Sequence, residues 1–265
     1  MAQAAATVVG ESAGLVNKTY MPFELDPSIG HRAAIGLIVL ATDQTVEHEF
    51  RKILDIAGVA FYESRILNDS TINPETLAAM AQRMSEAASV ILPGLPLDVV
   101  AYGCTSGAMI IGEETVFARI RESRPGVPCT TPITGAMAAF EALGAKRIAL
   151  LTPYIDEINQ TMRDFIQARG VEVPVMGSFN NENDNEVGRI SLASLRAAAL
   201  ELGREPNVDA VFVSCTNLRL IEYVEDLEAE LGKPVTSSNH AMAWHALRLA
   251  GYTEPVPGFG RLMML

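Results

Sequence analysis

The chemistry this chain can do centres on Cys104 and Cys215. Each ends an apolar run, and each is followed by Thr inside one repeated pattern. The first copy reads VVAYGCT, a helical stretch and PCTT, over residues 99 to 131. The second reads VFVSCT, a helical stretch and PVTS, over residues 211 to 237. A thiol can act as nucleophile, base or acid near neutral pH, where a hydroxyl is far harder to ionise. A chain that duplicates its own fold and ends the same strand with a thiol in each copy is expected to place two thiols on either side of one substrate. Both precede Thr at an expected helix start, where backbone N–H groups and the helix dipole favour a thiolate. The third cysteine, Cys129, has Val235 as its counterpart and reads as a small buried hydrophobe.

The repeat extends upstream, since RAAIGLIVLATD at Arg32 to Asp43 reads like RIALLTPYID at Arg147 to Asp156. Thr42 to Cys104 spans 62 positions and Thr152 to Cys215 spans 63, so the two units match in length. A unit this large means two similar α/β lobes rather than a solenoid, whose repeats run at about 20 to 50 residues. Strands alternate with helices throughout, the signature of parallel sheets built from βαβ units. In the first lobe the pattern predicts strands at 35–41, 61–66 and 99–103 and helices at 46–56 and 74–89, the latter capped by Asn73. In the second it predicts strands at 148–151, 173–179 and 210–214 and helices at 156–168 and 191–202. Ligands of open parallel sheets bind at the carboxyl ends of the strands. Thr42, Asp43, Cys104, Thr152, Tyr154 and Cys215 all fall there.

Composition narrows the function classes. A net charge of −12 without a basic cluster argues against a nucleic-acid partner. The first twenty residues show no basic start followed by an apolar core, and no apolar run approaches the length of a membrane span. A cytoplasmic protein without a membrane partner is therefore expected, in a reducing compartment that keeps three thiols free. No glycine-rich phosphate loop follows either first strand, and no Cys-x-x-Cys or His-x-x-x-His spacing suggests a metal. Asp43 and Asp156 have the ordinary alternative of capping helices. His240 and His245, on the last helix, read as surface or structural residues, and the polar run NNENDNE at 180–186 as a loop bordering the site.

These motifs together resemble the aspartate/glutamate racemase superfamily, in the branch holding maleate cis-trans isomerases and arylmalonate decarboxylases. AYGCTSG fits the first cysteine motif, VSCTNL the second, TPYIDEIN the tyrosine segment and PGFGRL the tail. The likeness covers nearly all of the chain after about residue 30. The segment IGLIVLATDQTVEHEF also reads like that of racemase-like proteins encoded with ectoine-utilisation enzymes.

The resemblance implies two pseudo-symmetric Rossmann-like lobes with the site in the cleft between them, and chemistry that needs neither metal nor organic cofactor. On this view residues 1–133 form the first lobe, 134–239 the second, and 240–265 pack back on the first. Cys104 and Cys215 would be the catalytic thiols, and Thr105, Ser106, Tyr154 and Thr216 the donors to a substrate carboxylate. Asp43, Asn217 and Asp184 of the 180–186 loop would complete the substrate-binding set. Departures from the family steer the substrate. Arylmalonate decarboxylases carry glycine in place of Cys104, and one thiol suffices for them. Maleate isomerases carry asparagine in place of Asp43, where an anion would repel a second carboxylate and attract an ammonium group. Amino-acid racemases follow the second Cys-Thr with His, where this chain has Asn217. The expected function is a racemase moving a proton at Cα of a small amino-acid-like carboxylate through two cysteines, within ectoine degradation. The alternatives are maleate isomerisation by thiolate addition, an arylmalonate-type decarboxylation, and non-catalytic carboxylate binding. The expected partners are a small carboxylate and, in self-association, a homo-oligomer.

Overall fold

Strands buried on both faces must be apolar along their whole length, and the chain supplies such runs twice over. The computed structural model describes Val16 and residues 18–265, so the reading of the N-terminal segment lies largely outside the described residues. The first parallel sheet contains β1 (Ala33–Leu40), β2 (Val59–Ile66), β3 (Val99–Gly103) and β4 (Cys129–Thr130), in the order β2-β1-β3-β4. The second repeats it with β5 (Arg147–Thr152), β6 (Glu172–Ser178), β7 (Ala210–Val213) and β8 (Val235–Ser237), in the order β6-β5-β7-β8. Every residue of β3 and β7 is buried. In each sheet the order reverses beside the first strand, which opens a crevice at the carboxyl ends of β1 and β3, and of β5 and β7.

Helices cover the sheets: α1 (Val46–Ile53), α2 (Pro74–Ala78), α3 (Met84–Ser89), α4 (Thr105–Ile111), α5 (Glu113–Ser123) and α6 (Pro132–Leu143) accompany the first. Then come α7 (Asp156–Gln167), α8 (Asp184–Val187), α9 (Leu192–Gly203), α10 (Val224–Leu231) and α11 (Ser238–Leu249). The two lobes exchange their last helices. Phe140 of α6 meets Phe212 of β7 edge to face at 5.4 Å, while α11 packs on β1, β3 and β4 of the first sheet. Residues 133 and 134 lie in the first turn of α6. Gly135 lets α6 and α11 touch, since a Cβ there would lie 2.8 Å from the Ala241 carbonyl oxygen.

Two expectations needed correction. The helix over 74–89 is interrupted by a tight 3-10 segment at Ala79–Arg83, which brings both Leu77 and Met80 to the cavity described below. The helix begun at Val46 stops at Ile53, because the chain turns through Gly58, at φ 83°, into β2. The two Pro-x-Thr segments are fourth strands, too short to show an alternating pattern. Among the described residues no helix is long and apolar enough to cross a membrane.

Glu49 ties α1 to the second lobe. Fully buried, it accepts from the Leu220 N–H at 2.6 Å, the Ile221 N–H at 3.0 Å and Asn239 Nδ2 at 2.8 Å. Burial pushes its carboxyl from 4.5 up to about 7, against those hydrogen bonds. Between these values the folded protein holds a proton that the unfolded chain has released, so stability falls as pH rises from about 4.5 to about 7. The loss from this one group is on the order of 3 kcal/mol. Denaturant unfolding of Glu49→Gln at pH 5 and pH 8 should therefore show a clearly smaller difference between the two pH values than the parent. An undiminished difference would mean that other groups carry the pH dependence.

Candidate active site between the lobes

Cys104 follows β3 in extended conformation and caps α4. Its Sγ accepts from the Gly107 N–H at 3.3 Å and lies 3.9 Å from Ser106 Oγ. Residue 107 has to be glycine for this fit, since a Cβ would stand 2.8 Å from Cys104 Sγ, 2.8 Å from the Tyr102 hydroxyl and 2.9 Å from Met80 Cε. Gly107→Ala should cost about 1 to 3 kcal/mol of stability by overpacking and displace the thiol. Turnover should fall at least tenfold in protein that circular dichroism shows to be folded; wild-type turnover would mean that the position of the Cys104 thiol is unimportant.

Cys215 occupies the matching place after β7, yet its surroundings differ. Its φ is 151°, a region L-residues rarely adopt and one that costs on the order of 1 to 3 kcal/mol. The residue is held there by its own N–H donating to Ser238 Oγ at 3.0 Å and its carbonyl accepting from Leu218 N–H at 3.2 Å. No helix starts at Thr216: a 3-10 turn at Ile221–Tyr223 comes first, and α10 begins only at Val224. The expected helix start after the cysteine therefore holds for Cys104 alone.

The expectation that the surroundings favour a thiolate is also corrected. Burial pushes Cys104 up to about 12 and outweighs the lowering by the Gly107 N–H, and the Asp184 carboxylate raises it further. Burial, then Asp184, raise Cys215 well above the usual thiol range, and Asp43 adds to this. Both resting thiols are neutral. Desolvating a charge at a closed site costs more than one short helix terminus returns.

Both thiols line one cavity with Thr105, Ser106, Tyr154, Thr216 and Asp184. Tyr154, 2% exposed, turns its phenol toward the Cys215 and Ser106 side chains. Apolar walls come from Leu40, Ile72, Leu77 and Met80, while Asn68, Asp69, Thr71 and Thr76 complete the rim. Among the described residues lining it there is no Lys, Arg or His. The free volume between these side chains is about 20 Å³, room for a single water. A substrate therefore has to widen the cleft against the contacts that join the lobes beside it. Thr71 pairs with Asn183 across the lobes, Ile72 N–H donates to the Glu182 carbonyl at 2.9 Å, and Asp184 N–H donates to the Ser70 carbonyl at 2.9 Å. The Asp184 carboxylate accepts from the Thr42 hydroxyl, whose oxygen accepts from Asn68 Nδ2 at 2.7 Å.

Two residues from the expected substrate-binding set lie behind this cavity rather than in its wall. Asp43 Oδ1 accepts from the Thr45 and Val46 N–H groups at 2.8 Å each and so secures the start of α1. Its Oδ2 is buried without a partner among the described residues, and burial raises the group to about 6. Asn217 is a staple between loops: Oδ1 accepts from Gln44 N–H at 2.8 Å, and Nδ2 donates to the Asp184 carbonyl at 2.9 Å. Asp156 opens α7 without capping it. Cys129 donates to the Val127 carbonyl at 3.4 Å, and His240 and His245 pair with Thr236 and Thr130, so all three are structural. Sequence reasoning missed Asn68, Thr71 and Ser238. Only Ser238 had a local signal, directly after the second PVTS.

The profile of the family described as arylmalonate decarboxylase matches residues 35–263. The arylmalonate decarboxylase of Bordetella bronchiseptica is 32% identical over 195 residues, covering 71% of this chain and 77% of that protein. The maleate isomerase of Nocardia farcinica is 29% identical over 240 residues, covering 86% and 94%. A solved structure of the Nocardia farcinica maleate cis-trans isomerase, a cysteine-to-serine mutant with a covalently bound succinylcysteine intermediate, superposes with a TM-score of 0.80. It is 28% identical and covers 88% of this chain and 98% of its own.

Proposed function

Since the chain belongs to the arylmalonate decarboxylase family, among whose relatives stand maleate isomerases, we propose that it is a two-thiol racemase or epimerase of a small amino-acid-like carboxylate. The observation that carries this reading is Asp184 at a cavity without a cationic side chain among its lining residues. Burial is the larger cause of the raised thiols, and a substrate ammonium beside Asp184 would offset the part that its carboxylate adds, favouring the thiolate that a base requires. A dianion would raise them further. Asp43 works in the same direction from behind the wall, by its charge on Cys215.

In the reaction, one thiolate removes the Cα proton while the opposite thiol delivers its own to the other face, a 1,1-proton transfer. Thr105, Ser106, Tyr154 and Thr216 hold the carboxylate and stabilise the enediolate as charge develops on its oxygens. An α-amino acid or N-acylated diamino acid fits this scheme, in keeping with the likeness to proteins encoded with ectoine-utilisation enzymes. Maleate isomerisation is the second reading, favoured by the succinylcysteine intermediate of the Nocardia farcinica relative. There a thiolate adds to the double bond, the new single bond rotates, and elimination completes the turnover.

Deuterium uptake from heavy water separates the two. Amino acids, N-acetyl-diaminobutyrate isomers and maleate would be incubated with the protein and read by NMR. A racemase must exchange the Cα proton of its substrate. Conversion of maleate to fumarate, with no exchange into any amino substrate, would replace the first reading by the second.

A further inference from the structure

The two lobes repeat each other, but their thiols are not equivalent, and one hydroxyl accounts for the difference. Ser238, fully buried at the first position of α11, accepts from the Cys215 N–H at 3.0 Å and lies 2.8 Å from Thr105 Oγ1. Cys215 and Thr105 come from opposite lobes. Ser238 thus touches the backbone of one thiol residue and the side chain that follows the other.

The direction of the second bond follows from proton counting. Ser238 already accepts from Cys215, and Thr105 is its one other hydrogen-bond partner among the described residues. If Thr105 donated to Ser238, the Ser238 proton would be buried without an acceptor, a costly arrangement. Ser238 therefore donates to Thr105, and Thr105 keeps its own proton free to donate into the cavity it lines. The helix does not need this hydroxyl. Ser237 caps α11 through the His240 N–H at 3.2 Å, and in the first copy Thr131 caps α6 the same way with Pro132 in the place of Ser238.

We propose that Ser238 is a positioning residue that holds Cys215 at its unusual φ and aims the Thr105 hydroxyl at the substrate carboxylate. The proposal rests on the reading that this cleft is the reaction site, and it holds for proton transfer and thiol addition alike.

The chain has three cysteines, so ¹⁵N-cysteine labelling yields three amide signals, assigned with Cys129→Ser and Cys215→Ser. In Ser238→Ala the Cys215 signal should move by more than about 0.3 ppm in the proton dimension and exchange with solvent at least tenfold faster, while Cys129 stays in place, because a buried N–H has lost its acceptor. On the best substrate kcat/KM should fall at least tenfold with a raised KM, and Ser238→Thr, which keeps the hydroxyl, should recover most of it. An unmoved Cys215 signal, or a moved signal with wild-type turnover, overturns the proposal. Should Ser238→Ala not fold, the spectrum of Thr105→Val decides. The Cys215 amide has to respond there although Thr105 makes no hydrogen bond to it, and its silence overturns the bridge. The spectra need no substrate, so a failure to find any amino substrate would count against the proposed function and leave this test standing.

Discussion

Replacing Cys104 or Cys215 by Ser should lower kcat on the best substrate by about 10²- to 10⁴-fold, the usual worth of a positioned acid or base. The fold should survive. At Cys104 the change puts an oxygen where Sγ now accepts the Gly107 N–H, and Ser is a favoured helix cap, so Cys104→Ser should be at least as stable as the parent. Activity and stability then move in opposite directions, a combination that general damage to the protein would not produce. Cys129→Ser, away from the cavity, should leave turnover unchanged. The two-thiol scheme adds a finer expectation. Each single variant keeps one thiol, so it should still exchange the Cα proton of one enantiomer while failing to interconvert the two. Full interconversion by Cys104→Ser would sink the scheme, and retained maleate isomerisation in the same variant would favour covalent addition by Cys215.

Asp184→Asn should have the next largest effect, because Asp184 is the charge through which an ammonium substrate would be recognised. Losing one partner of a desolvated charge pair costs roughly 2 to 5 kcal/mol, so kcat/KM on an amino substrate should fall by at least about 30-fold. Asn keeps the size of the side chain and an oxygen to accept from Thr42, so the hydrogen bond between them should persist. The same change acts on the thiols. Asp184 raises both Cys104 and Cys215, and removing its charge lowers both, which increases the thiolate fraction at a fixed pH. Alkylation of the two cysteines by a small neutral reagent at pH 8, read by peptide mass spectrometry, should speed up several-fold relative to Cys129. A loss of amino-substrate turnover together with faster alkylation supports the electrostatic role. Unchanged values for both would remove the reason for preferring an ammonium substrate over maleate.

The two sheets and the main site residues were legible in the chain because the signals that carry them are local. A strand buried on both faces needs an unbroken apolar run, and the residue ending that run lies at the carboxyl edge of the sheet, where parallel folds bind ligands. This placed Cys104, Cys215 and Tyr154 together, the family resemblance added Thr105, Ser106 and Thr216, and the structure puts all six on one cavity, whereas Thr42, Asp43 and Thr152, also at strand ends, are not among its lining residues. The break within 74–89 and the fourth strands were not legible. Those strands are two and three residues long, and the break answers to what Leu77 and Met80 must touch.

What only the folded chain decided is the state of the site. The same Cys-Thr pair begins a helix in one lobe and a strained turn in the other, because Ser238, 23 residues beyond Cys215, reaches its N–H. The chain pairs Asp184 with Thr42 across 142 residues, and this joins the lobes beside the cleft and sets the charge beside both thiols. Asp43, assigned to the substrate from the sequence, turns Oδ1 to the start of α1, and Asp184 stands in the cavity wall. Residue type and spacing report which groups a strand end presents. Protonation state, donor direction and access depend on burial and on distances between segments far apart in sequence, and those distances exist only once both lobes have closed on each other.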